Sequence, residues 1–65
     1  MPPRKEQIAQ YRKKAKELRI DAKSISSARL RETMLKLADE YELVASKLQA
    51  IEALEEALKP PSKLD

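Results

Sequence analysis

Apolar residues recur along the chain in two runs with heptad spacing. The first is Ile8, Tyr11, Ala15, Leu18, Ala22 and Ile25, in steps of 3, 4, 3, 4 and 3 residues. The second is Leu30, Met34, Leu37, Tyr41, Val44, Leu48 and Ile51, in steps of 4, 3, 4, 3, 4 and 3. Such steps put each run on one side of an α-helix, and they favour nearly antiparallel knobs-into-holes packing over steep crossing. Ala38 and Ala45 flank the second run, widening its apolar stripe with small residues where another helix can come close.

Between the runs lies Ser24-Ile25-Ser26-Ser27. Serine hydroxyls accept from the unpaired N–H groups that open a helix, so the cluster reads as a corner rather than the middle of one long helix. The chain contains no Gly, and its four prolines are Pro2, Pro3, Pro60 and Pro61, so nothing between them breaks a helix and they bracket the folded part. The pattern predicts a single small all-α domain over 1–65, with a helix over about 3–23, a corner over about 24–27, a helix over about 27–58 and a disordered tail over 60–65.

Folding back at the corner pairs positions whose numbers sum to about 52 or 53. Leu18 then faces Met34, Ala15 faces Leu37 and Ala38, Tyr11 faces Tyr41, and Ile8 lies near Val44 and Ala45. The second pattern runs on through Ile51, Leu54 and Leu58, past the start of the first helix by roughly 8 residues, or about 12 Å at the helical rise. That overhang changes phase, because Glu55 takes the next seam position, and its apolar side has no partner within the hairpin. Dimerisation into a four-helix bundle covers both the overhang and the open side of each seam. The expected hairpin and dimer core is Ile8, Tyr11, Ala15, Leu18, Met34, Leu37, Ala38, Tyr41, Val44, Ala45, Leu48, Ile51, Leu54 and Leu58.

Composition narrows the chemistry. A chain of 65 residues near the lower limit of autonomous folding needs staples, a metal, assembly or very good packing. With no Cys and no His, disulfides and thiolate or imidazole metal sites are excluded, and the commonest general base and thiol nucleophiles are missing. Asp39, Glu40 and Glu42 spread around a helix rather than converge, and Glu55-Glu56 is an exposed pair. Without glycine there is no phosphate-cradling loop. The expectation is a non-enzymatic protein with no cofactor and no small-molecule substrate. The sequence also lacks a transmembrane stretch and the apolar core of a signal peptide, and the expected location is the cytoplasm.

Charge is distributed unevenly. Residues 1–23 carry eight Lys and Arg against three acids, whereas residues 24–65 carry six against eight. A basic first helix beside an acidic second one supplies attractive flanking pairs, which select orientation more than they stabilise. The same basic residues, Arg12, Lys13, Lys14, Lys16, Arg19 and Lys23, are candidates for phosphate contacts with RNA or DNA, more so if two copies pool their charge. They wrap the polar arc instead of forming one stripe, and no aromatic residues interleave them for base stacking. Membrane-surface binding is disfavoured because the first helix has a narrow apolar side without Trp or Phe.

The stretch from about 8 to 49 resembles a set of short, uncharacterised α-proteobacterial proteins. Their pattern is roughly Tyr-x-x-x-Ala-x-x-Leu-Arg, a polar corner, then Arg-x-x-Met/Leu-Leu-x-Leu/Ile-Ala-x-x-Tyr-x-x-Leu-Ala. The matching residues are Tyr11, Ala15, Leu18, Arg19, Arg31, Met34, Leu35, Leu37, Ala38, Tyr41, Val44 and Ala45, with Val44 in place of the usual Leu. The resemblance implies a bacterial helical hairpin and brings no activity with it. The plasmid regulator Rop, a dimerising hairpin that binds RNA, is similar in architecture only. The functional expectation is therefore a small interaction or regulatory protein working as a homodimer through helix contacts, with itself and another protein as partners. The alternative is a nucleic-acid-binding regulator using the basic first helix.

Overall fold

The computed structural model describes residues 3–59, and the expected tail over 60–65 lies outside them. The described residues form two α-helices packed against each other, α1 (Arg4–Ala22) and α2 (Ala28–Leu58), with no strand among them. The chain is a hairpin, not one continuous helix.

α1 opens on Pro3, whose backbone is extended and whose carbonyl accepts from the N–H groups of Glu6 and Gln7 at 3.0 and 3.1 Å. Proline suits this place because its missing N–H would have had no helical partner. At the other end the helix tightens: Lys23, Ser24 and Ile25 donate to the carbonyls of Ile20, Asp21 and Ala22 at 3.1–3.2 Å. These are three-residue steps, a common way of satisfying terminal carbonyls. No described residue has a positive φ, so the corner is built from backbone states open to any L-residue.

Of the three serines, Ser27 caps α2: its Oγ accepts from the Leu30 N–H at 3.2 Å and its carbonyl from Arg31 at 2.9 Å. Arg31 in turn donates through Nη1 to the Ile25 carbonyl at 2.8 Å, tying the first turn of α2 to the corner.

The core is thin. The buried residues are Ile8, Ala15 and Ala22 on α1 and Ala38 and Ala45 on α2, each group stepping by seven. The four alanines have at most 1 % of their surface exposed, and no large side chain is fully enclosed. Alanine at the contact line lets two helices approach closely, and larger half-buried residues then flank that line. Tyr11 and Leu18 do this on α1, Ile25 in the corner, and Met34, Tyr41 and Leu48 on α2.

Candidate functional site: two unlike sides of the hairpin

The two long sides of the hairpin differ in chemistry. On one, α1 turns Arg12 and Arg19 toward α2. Arg19 forks between two acids, donating through Nη1 to Glu42 at 2.7 Å and through Nη2 to Asp39 at 2.8 Å. These bonds, that to Glu42 foremost, raise the Arg19 pKa and hold the guanidinium charged. Arg12 donates to the Gln49 side chain at 2.6 Å; Arg4 pairs with Glu55 on the opposite, tyrosine side, one heptad beyond Tyr11 and Leu48. The basic and acidic helices thus meet through flanking pairs along the Arg19 side. All are solvent-exposed or partly so, and such pairs fix orientation with little net stabilisation.

The other side is apolar on α2 and uncharged or mixed on α1. Leu30, Leu37, Val44, Ile51 and Leu58 form a row in steps of seven, and every one is exposed, from 38 % at Val44 to 78 % at Leu58. Beside it runs an open groove of about 400 Å³ lined by Gln7, Gln10, Tyr11, Lys14 and Tyr41. Leu54 is exposed next to the row on the overhang.

The expected core residues therefore separate into two groups. Ile8, Ala15, Ala38 and Ala45 are buried within the hairpin, and Tyr11, Leu18, Met34, Tyr41 and Leu48 are half-buried. Leu37, Val44, Ile51, Leu54 and Leu58 are exposed in the single chain. The hairpin contact uses the alanine flank of the α2 stripe, leaving the Leu/Val/Ile flank open. Sequence periodicity found the stripe but not which flank turns inward. The alanines at 15 and 22 opposite those at 38 and 45 were the available signal, since small residues meet where backbones come closest.

The six basic candidates also divide. Arg12 and Arg19 are engaged with α2, whereas Lys13, Lys14, Lys16 and Lys23 are exposed and enter no ion pair among the described residues. Arg31, whose role in the corner depends on a backbone carbonyl six residues earlier, was legible only as a charged residue on a helix. Among the described residues no helix is long and apolar enough to cross a membrane. Compared with known protein families, curated proteins and solved structures, the chain matches none.

Proposed function

We propose that the protein is a non-enzymatic interaction module that acts through helix–helix contacts as a homodimer, two hairpins forming a four-helix bundle. One observation carries this reading: the exposed row Leu30, Leu37, Val44, Ile51 and Leu58 spans α2 from end to end. A two-helix hairpin with an alanine core encloses too little apolar surface to be robust alone, and a second layer supplies what is missing. Full burial of each Leu, Val or Ile is worth about 1.5–3 kcal/mol, so the row is a large driving force for assembly. Light scattering at micromolar concentration tests this: a dimer is expected, and a folded monomer overturns it. The proposed kinship with α-proteobacterial hairpin proteins agrees with this architecture and adds no activity.

A nucleic-acid role is favoured by a narrower observation: Lys13, Lys14, Lys16 and Lys23 are exposed and have no acidic partner among the described residues. It would use Lys13, Lys14, Lys16 and Lys23 for phosphate contacts, with Arg12 and Arg19 already engaged in the hairpin. A salt-dependent shift of labelled RNA or duplex DNA that disappears in Lys13→Glu/Lys16→Glu supports it. An unchanged shift removes the basic helix from consideration.

A further inference from the structure

We propose that the dimer forms by antiparallel packing of α2 on the α2 of a second copy, with the twofold axis at Val44. The inference rests on the homodimer reading and adds its orientation and register.

The row is symmetric about Val44: Leu37 and Ile51 lie seven residues either side, and Leu30 and Leu58 fourteen. An antiparallel partner centred there sets Val44 against the partner's Val44, Leu37 against the partner's Ile51, and Leu30 against the partner's Leu58. No member is left over. The α2 overhang, short of cover in its own hairpin, then lies on the N-terminal half of the partner's helix.

Charge selects the same register. On the outer flank of the row sit Glu40 and Lys47, both exposed and neither engaged in an ion pair among the described residues. With Val44 on the axis, Glu40 comes level with the partner's Lys47 to within about one residue, or about 1.5 Å along the helix. Symmetry makes this contact twice. Sliding by one heptad in either direction sets Glu40 against the partner's Glu40, or Lys47 against the partner's Lys47, and strands a row residue at each end. Flanking like charges of that kind are how coiled coils reject wrong registers.

Orientation follows from where α1 sits. The exposed row lies roughly a quarter turn around α2 from the side that contacts α1, the angle at which a helix of a square bundle meets its two neighbours. Met34, Tyr41 and Leu48 fall between the two contacts and face the bundle centre. An antiparallel partner places both α1 helices on the same side and encloses these residues. A parallel partner places the α1 helices on opposite sides, leaves Met34, Tyr41 and Leu48 wet, and gives Glu40 no basic partner across the interface.

Because both flanking positions are on the surface, Glu40→Lys and Lys47→Glu leave the hairpin intact. Alone, each variant turns two attractive contacts repulsive, and we expect self-association to weaken roughly tenfold by sedimentation. Mixed together, the two variants restore both contacts and form a heterodimer in preference to either homodimer. Since the chain has no cysteine, disulfide trapping gives an independent readout. On mild oxidation Leu37→Cys/Ile51→Cys is expected to form covalent dimers, whereas Leu37→Cys alone does not. If wild-type dimers persist but the charge variants show no mutual preference, or Leu37→Cys alone cross-links, the register is wrong while the homodimer stands. A wild-type monomer overturns both.

Discussion

Tyr11 and Tyr41 face each other across the hairpin, their ring centroids 5.9 Å apart and their planes tilted by 32°. They are the only aromatic residues in the chain, and each is half-buried on its helix. The separation falls within the range in which ring pairs attract beyond simple area burial. We predict that a double-mutant cycle of Tyr11→Leu and Tyr41→Leu, read by urea unfolding, gives a coupling of about 1 kcal/mol. Additive single effects would mean the rings contribute only as bulk.

The alanine contact line makes a prediction of opposite sense. Ala15 and Ala38 have no exposed surface, so a larger side chain has nowhere to go without separating the helices. Ala38→Leu should destabilise by about 1–3 kcal/mol, although leucine has nearly alanine's helix propensity. The exposed Ala50→Leu serves as control and should be close to neutral. Thermal melts followed by circular dichroism compare the two.

Among the corner serines, only Ser27 accepts a bond from the opening turn of α2. Ser27→Ala should cost about 1 kcal/mol, while Ser24→Ala and Ser26→Ala should change stability by no more than about 0.5 kcal/mol. Equal losses at all three positions would contradict the capping geometry.

Arg19 bridges two acids at once, and its fork geometry is the reason. Arg19→Lys keeps the charge but cannot donate along both directions in one plane. Unfolding in low salt should show Arg19→Lys and Arg19→Met both slightly weakened, since the group is partly exposed. The deficit should shrink as salt rises, and a salt-independent deficit would point to lost packing of the side-chain stem instead.

For the assembly itself, Leu58→Asp and Leu54→Asp alter residues that are mostly exposed in the single hairpin. They should leave helicity intact and abolish self-association, as read by light scattering. A dimer of normal size in both variants would place the interface elsewhere.

The pairing of Tyr11 with Tyr41 was legible from periodicity because the corner position fixes the sum of paired numbers. The serine cluster likewise marked the turn, and the basic-against-acidic arrangement of the helices appears in the structure as the contacts of Arg4 and Arg19. What periodicity could not supply was rotation about the α2 axis. A stripe holding both Leu37 and Ala38, and both Val44 and Ala45, is consistent with either residue of each pair facing α1. Only the opposing Ala15 and Ala22 decide it, and that is a fact about two helices together. Arg31 was illegible for a similar reason: a charged helical residue becomes a corner tie only when a carbonyl lies within reach.

The corner has a practical side. Its turn needs no glycine and no left-handed residue, and its specific bonds come from Ser27 and Arg31 at one end of it. Lys23, Ser24 and Ser26 are exposed and contribute only backbone to the connection. Loop closure grows costly only slowly with added length, so extra residues at Ser24–Ser26 should be tolerated. A fluorophore, an epitope or a flexible insert could therefore be carried there, on the turn itself and at the opposite end of its own hairpin from the overhang.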